Sequence, residues 1–209
     1  MKILILDNYD SFVYNLVQYI EEATETDAST VIDVFRNDKI ELDAVANYDL
    51  IVLSPGPGVP SEAGIMPALI ERYAAEKVIF GVCLGHQAIG EAFGANIYNL
   101  DEVYHGIEHD MVRTVKDSVI FNGVPDNFKA GRYHSWSIDP ATLPDCLEVT
   151  ARTADDQSIM AVRHKKYKVF GVQFHPESIM TAEGRRMIGN LLGICKVKDT
   201  SNSTLRHAR

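Results

Sequence analysis

Short apolar runs alternate with segments of helical period through the first half of the chain. Four such runs predict buried strands at residues 2–6, 31–35, 50–53 and 78–82. Between the first two strands, apolar side chains from Phe12 to Ile20 recur at spacings of three and four, which predicts a helix with one buried face. Asp10 or Ser11 is the expected N-cap of this helix, and residues 65–75 are expected to form a second helix. Strands that alternate with helices indicate βαβ units around a parallel sheet.

The second half of the chain has short strand-like pieces that are separated by Pro, Asp and Gly. They predict antiparallel strands at 96–99, 111–115, 132–138 and 147–152. Residues 159–163 and 169–174 flank a basic tip, 164–168, as in a β-hairpin, and residues 185–192 predict a closing helix. The predicted fold class is α/β and doubly wound, with a mostly parallel central sheet, helices on both faces and an antiparallel β extension.

The length and composition of the chain fit one α/β domain. Its 209 residues are 46% hydrophobic and 23% charged, which allows a sizeable core over residues 1–195. The last residues, 196–209, are polar and basic and predict a disordered tail. A formal net charge of -9 speaks against nucleic acid as a partner.

The cysteines and the start of the chain indicate the compartment. Cys83, Cys146 and Cys195 are odd in number and form no CxxC pair, which favours a reducing environment. The apolar run near the start is too short for a secretory segment or a membrane span. We therefore expect a cytoplasmic protein without a membrane partner.

The heptapeptide GVCLGHQ, residues 81–87, follows the apolar run at 78–80. A strand, a GxCxG turn and a helix form the nucleophile-elbow arrangement, here with a thiol in place of a serine hydroxyl. Gly81 and Gly85 are expected to be required because a side chain at either position would collide with neighbouring elements. At the N-terminus of a helix, Cys83 would be favoured as the thiolate. The alternative is a buried cysteine that packs as a small apolar residue.

A histidine and a glutamate two residues apart supply the other groups of a catalytic triad. In the stretch FHPES, an extended backbone around Pro176 would turn the side chains of His175 and Glu177 to the same side. The imidazole would take the thiol proton, and the carboxylate would hold its far nitrogen. Taken singly, each residue is more often structural, but their occurrence together with Cys83 favours the triad.

A loop of alternating proline and glycine follows the predicted strand at 50–53. The segment SPGPG, residues 54–58, can aim backbone amides at a neighbouring site, although an ordinary turn is an equal alternative. A tetrahedral intermediate needs two donors for its oxyanion, and the N–H groups of Gly58 and Leu84 are the candidates.

Five ordered motifs together carry a specific resemblance. They are NYDSF near the start, SPGPG, GVCLGHQ, RYHS at 132–135 and FHPES. With these motifs the chain resembles the class I glutamine amidotransferases from residue 2 to about residue 192, and the resemblance implies their flavodoxin-like glutaminase fold. The NYDSF and SPGPG pair is similar to that of the glutaminase subunits of anthranilate synthase and aminodeoxychorismate synthase.

The resemblance implies hydrolysis of L-glutamine to glutamate, with the ammonia passed through a tunnel to a large subunit that aminates chorismate. It implies that Cys83 forms a glutamyl thioester, that His175 is the acid and base, and that Glu177 orients it. Gly58 and Leu84 would form the oxyanion hole, and substrate binding is implied for Gly56, Gly58, Leu84, Gln87, Ser135 and Trp136. From the residues alone, Gln87 can equally be a surface amide, and Trp136 is more often a core residue. No cofactor or metal is expected in this chain, whereas the partner is expected to use Mg²⁺.

Two departures from the family pattern lie outside the triad. Residues 107–109 read IEH where a Lys followed by Ser or Thr is common, and Trp136 stands where Leu is usual. His105 and His109 have the spacing of two zinc ligands on one helix face, but Gly106 and the strand-like surroundings speak against a metal site.

Three hypotheses of function follow from the sequence. The first is the glutaminase subunit of anthranilate synthase (tryptophan biosynthesis), with the equivalent subunit of aminodeoxychorismate synthase (folate biosynthesis), or one subunit serving both, as its alternative. The second is a cysteine peptidase or other hydrolase on the same architecture. The third is a non-catalytic module that regulates a larger synthase. Under the first hypothesis, Asn8, Tyr9, Asp10 and the loop around Pro57 are expected at the rim that faces the partner.

Overall fold

The computed structural model describes residues 1–196. Within this range the chain forms eleven β-strands and four α-helices. The strands are β1 (Lys2–Asp7), β2 (Val31–Arg36), β3 (Leu50–Leu53), β4 (Val78–Val82), β5 (Ile97–Asn99), β6 (Ile107–Arg113), β7 (Asn127–Arg132), β8 (Trp136–Ile138), β9 (Leu147–Thr153), β10 (Ile159–His164) and β11 (Val169–Val172). The helices are α1 (Val13–Thr24), α2 (Met66–Tyr73), α3 (Leu84–Ala92) and α4 (Gly184–Lys196).

Nine of these strands form one sheet in the order β2-β1-β3-β4-β11-β10-β9-β6-β7. The first five strands in this order are parallel to one another. The remaining four continue the same sheet in antiparallel fashion. β5 and β8 form a separate antiparallel pair. The predicted parallel sheet with an antiparallel extension is confirmed, as is the hairpin that β10 and β11 form.

Alternate residues of β1 point into two different layers of the core. Ile3 and Ile5 pack in the apolar cluster that α1 and α4 cover, whereas Leu4 and Leu6 pack in the cluster that α2 and α3 cover. A strand that is covered on both faces must be apolar at every position, which explains the continuous apolar runs of the parallel strands. The predicted helices on both faces of the sheet are therefore confirmed.

The first helix has the predicted buried face, but the prediction of its N-cap is wrong. Val13, Leu16 and Ile20 are buried, and Phe12 occupies the N-cap position without any capping side chain. The Asp10 carboxylate instead accepts a hydrogen bond from the Phe12 N–H at 3.1 Å, so it closes the turn that precedes the helix. The Phe12 ring itself is half exposed.

The prediction of a single strand at 132–138 is also wrong. β7 ends at Arg132, and β8 begins at Trp136 in the other sheet. Between them, the carbonyl groups of His134 and Ser135 accept hydrogen bonds from the loop that precedes β6. These bonds take the backbone out of the ladder of the large sheet, and Trp136 then lies against α3, where its carbonyl bonds to Gln87.

Of the predicted tail, 196–209, only Lys196 is described, as the last residue of α4, and residues 197–209 lie outside the described part. None of the helices within residues 1–196 has both the length and the apolar character that crossing a membrane requires.

Candidate active site

Cys83 lies between β4 and α3 in a strained backbone conformation. Its φ is 50° and its ψ is -100°, a combination that residues with a side chain rarely adopt. Two glycines make this turn possible, because a Cβ at Gly81 would collide with the backbone of Gly85, and a Cβ at Gly85 would lie 2.6 Å from the carbonyl oxygen of Leu53. The chain therefore has the strand–turn–helix geometry that the heptapeptide predicts, with Cys83 at the N-cap of α3.

His175 follows β11, the strand that lies next to β4 in the sheet. Its Nδ1 is 2.6 Å from Oε1 of Glu177, and both side chains are buried. The backbone here is a turn rather than the extended chain predicted, since the Ser178 N–H bonds to the His175 carbonyl at 3.2 Å. The side chains of His175 and Glu177 meet as predicted, but the prediction of an extended backbone around Pro176 is wrong.

The electrostatics of this pair favour a charged imidazole. Burial alone would lower the pKa of His175, but hydrogen bonding and charge interactions with Cys83 and Glu177 raise it well above its usual value. A raised imidazole pKa favours transfer of the Cys83 proton to the ring, which leaves a thiolate beside an imidazolium. Within the described residues, Nε2 of His175 and Oε2 of Glu177 are buried without a well-aligned hydrogen-bond partner.

The proline–glycine loop borders a pocket that is also lined by Leu84, the residue after Cys83 in the sequence. Gly58 has a left-handed φ of 75° and lines, together with Leu84, a surface pocket of about 310 Å³. Gly56 lies so close to the backbone of Asn8 that a Cβ would collide with it. The Asn8 side chain and N–H hold the carbonyl and hydroxyl groups of Ser54 at 2.8 and 2.9 Å. Both predicted oxyanion donors thus border one pocket, in a loop that is fixed by buried hydrogen bonds.

Two of the predicted substrate-binding residues, Gln87 and Trp136, are joined by a hydrogen bond, and Ser135 is held separately by the loop before β6. Nε2 of Gln87 donates to the Trp136 carbonyl at 2.9 Å, and Nδ1 of His134 lies 2.8 Å from the same oxygen. The Ser135 carbonyl accepts a hydrogen bond from Leu100 at 2.7 Å. Gln87 is therefore a buried amide that holds the Trp136 carbonyl, and the surface-amide alternative does not hold.

Sequence reasoning missed Gln173, which lies at the end of β11. Its side chain is fully buried, and its Nε2 is 3.6 Å from the Cys83 sulfur. The available signal was a polar residue between the apolar run of β11 and the histidine of FHPES, where an apolar residue would suffice for packing.

A second buried side chain that sequence reasoning missed is Arg132. It donates to the rings of His134 at 3.1 Å and His109 at 3.0 Å, and its guanidinium lies 3.6 Å from the centre of the Tyr104 ring. Nothing in the apolar pattern marks an arginine as buried. His109 lies on β6 and His105 in the loop before it, so they do not share a helix face, and no cluster of three possible metal ligands occurs within residues 1–196.

The chain combines a doubly wound α/β sheet, a cysteine elbow after one strand and a buried His–Glu pair after the adjacent strand. This combination defines an enzyme of the cysteine-nucleophile class. The family model for class I glutamine amidotransferases matches residues 4–194, and the chain belongs to this family.

Similar proteins agree with this membership. The bifunctional protein TrpGD of Thermotoga maritima is 46% identical over 207 residues, which are 97% of this chain, although the chain spans only 34% of that longer relative. The aminodeoxychorismate/anthranilate synthase component 2 of Bacillus subtilis is 45% identical over 196 residues, which are 91% of this chain and 95% of the relative. The fold is shared with the crystal structure of a glutamine amidotransferase from Thermotoga maritima, which matches with a TM-score of 0.74 at 15% identity and covers 93% of this chain and 97% of that one.

Proposed function

We propose that the chain is the glutaminase subunit of anthranilate synthase, which hydrolyses L-glutamine and supplies ammonia to a chorismate-aminating large subunit. The observation that carries the glutaminase activity is the buried pair of His175 and Glu177, 2.6 Å apart, in which His175 also interacts with Cys83 in its strained turn. A cysteine that served only as a small core residue would need neither the strain nor the ion pair.

The reaction begins when His175 takes the proton of Cys83 and the thiolate attacks the side-chain amide carbon of glutamine. The N–H groups of Gly58 and Leu84 hold the oxyanion of the tetrahedral intermediate. His175 then gives its proton to the leaving nitrogen, ammonia departs, and a glutamyl thioester remains on Cys83. Water attacks the thioester with His175 as the base, and glutamate leaves as the thiolate is restored. Glu177 holds Nδ1 of the ring and stabilises the imidazolium throughout.

The surface beside the triad supports a large partner subunit. A pocket of about 290 Å³ is lined by His175, Glu177, Phe12 and Ile179, among others. Ile179 is 93% exposed and Phe12 50%. Exposed apolar side chains grouped at a catalytic pocket favour an interaction surface, and ammonia released there must be shielded from water to reach a second site.

The equivalent subunit of aminodeoxychorismate synthase is the second candidate, or one subunit serving both synthases. It is favoured by the Bacillus subtilis relative, whose name carries both activities. Under either proposal this chain needs no cofactor, because side chains and backbone amides supply every step, and the Mg²⁺ is assigned to the large subunit. A cytoplasmic location is proposed from the use of cysteine.

The test combines the purified chain with each of the two large subunits in the presence of glutamine and chorismate. We expect release of glutamate together with anthranilate when the anthranilate synthase subunit is present, and loss of both products with Cys83→Ala. Formation of aminodeoxychorismate alone would select the second candidate. Glutamate release that persists in Cys83→Ala would refute the assigned nucleophile.

A further inference from the structure

We propose that Gln173 is a further catalytic residue, whose side-chain amide donates a hydrogen bond to the thiolate of Cys83. Its Nε2 lies 3.6 Å from the Cys83 sulfur, a distance at which an N–H group can bond to sulfur, and no part of Gln173 is exposed to solvent. A buried amide donor stabilises an anion without adding a charge of its own.

A second amide fixes the orientation of the first. Nε2 of Gln87 donates to Oε1 of Gln173 at 3.2 Å, so the oxygen of Gln173 faces Gln87 and its nitrogen faces the sulfur. The Gln87 amide is in turn held by the Trp136 carbonyl at 2.9 Å. The backbone N–H of Gln173 bonds to the Met160 carbonyl at 2.8 Å, which ties the residue to β10. Gln87 thus acts as a positioning residue for Gln173.

The charges around the Cys83 sulfur explain why a further hydrogen-bond donor is useful there. Once His175 has taken the Cys83 proton, the pocket holds two anionic groups, the thiolate and the Glu177 carboxylate, and one imidazolium, and Nε2 of His175 has no well-aligned hydrogen-bond partner within the described residues. Gln173 therefore supplies the sulfur with a fixed donor in the resting enzyme. A thioester sulfur is a far weaker acceptor than a thiolate, so the bond stabilises Cys83 before acylation and again when the thiolate leaves.

The role assigned to Gln173 deepens the proposed glutaminase activity and rests on it for its catalytic meaning. Its direct effect, however, is on the state of one sulfur atom. That effect can be measured by alkylation with iodoacetamide, which uses neither glutamine nor the large subunit, so the outcome is independent of the glutaminase assay.

The experiment compares the rate at which iodoacetamide modifies Cys83 in the full-length protein and in Gln173→Met, which keeps the side-chain length without an N–H donor. Mass spectrometry of the digested protein follows the Cys83 peptide, and the Cys146 peptide serves as an internal reference. We expect Cys83 to react about tenfold more slowly at neutral pH, as for the loss of one hydrogen bond to a charged group. The pH midpoint of its alkylation should move upward, and Cys146 should be unaffected.

Two further variants complete the design. Gln18→Met, on the exposed face of α1, is the matched control and should leave the alkylation of Cys83 unchanged. Gln87→Met removes the anchor of Gln173 rather than the donor, and should slow the alkylation of Cys83 to an intermediate degree, about threefold. This variant also serves if Gln173→Met fails to fold. An unchanged or faster rate at Cys83 in either folded variant would overturn the proposal.

Discussion

Acidification should destabilise the fold through two buried histidines, His86 and His134. Burial lowers the pKa of each ring to about 3, and the nearby Arg132 charge contributes to the shift at His134. Because these rings stay neutral in the fold while the unfolded chain takes up protons, their contribution to stability is complete above the unfolded pKa of 6.5 and is lost as pH falls toward 3. Each pH unit between the unfolded and the folded pKa lowers the free energy of unfolding by about 1.4 kcal/mol per ring.

At pH 5, which is about 1.5 units below the unfolded pKa, each ring is expected to cost roughly 2 kcal/mol and the two together about 4 kcal/mol. A domain has roughly 5–15 kcal/mol of total stability, so the loss should be plain in urea unfolding followed by circular dichroism. His86→Gln and His134→Gln each remove one titrating ring. Both variants should start less stable at neutral pH, yet each should lose about 2 kcal/mol less than the parent protein on acidification.

His105→Gln is the matched control, since His105 is exposed, and it should lose as much stability as the parent. The raised pKa of His175 acts in the opposite direction, because its contribution is complete below the unfolded pKa and is lost as pH rises through the folded value. It is present in every variant and does not affect the comparison. If His86→Gln and His134→Gln lost as much stability as the parent, the reasoning from burial would be refuted.

Three further outcomes are expected. Glu177→Gln should reduce the kcat for glutamine hydrolysis about 10³-fold with little change in KM, because Nδ1 of His175 loses its carboxylate partner. An unchanged kcat in a steady-state assay would exclude this role of Glu177. Gly85→Ala should lower stability by roughly 2 kcal/mol in thermal melting, because the added Cβ collides with Leu53. Gly189→Ala is the control, since no atom lies near its Cβ, and it should raise stability by up to about 1 kcal/mol. Ile179→Ser should weaken binding of the large subunit about tenfold in a titration and leave the isolated chain equally stable, and equal affinity would place the partner elsewhere.

Much of the parallel half could be predicted because its four inner strands, β1, β3, β4 and β11, are buried on both faces. Residues 50–53 and 78–82 are apolar at every position, and the predicted bounds agree with β3 and β4. β6 is harder to detect, since its sequence IEHDMVR is buried at Met111 alone and shows no continuous apolar run. The strand begins at Ile107 because β7 and β9 offer it hydrogen-bonding partners, which are distant in sequence.

That the side chains of Cys83, His175 and Glu177 come together could be predicted, but the hydrogen bonds around them could not. The types and order of Cys83, His175 and Glu177 indicate their chemistry, and the heptapeptide indicates the turn. By contrast, the bonds that join Gln87 to Gln173, and Gln173 to the sulfur, depend on which side chains the sheet brings together. Arg132 is buried through its contacts with Tyr104, His109 and His134, and a linear pattern of apolar residues does not indicate such contacts.

The pairing of β4 with β11, in which Val82 lies opposite Val172, joins two segments that are made far apart in time. A ribosome completes the cysteine elbow long before the histidine leaves the exit tunnel, so a growing polypeptide carries an unactivated thiol. The thiol and the imidazole meet only when the last strand has inserted between β4 and β10, so a polypeptide that stopped before this strand would carry the cysteine elbow without its base.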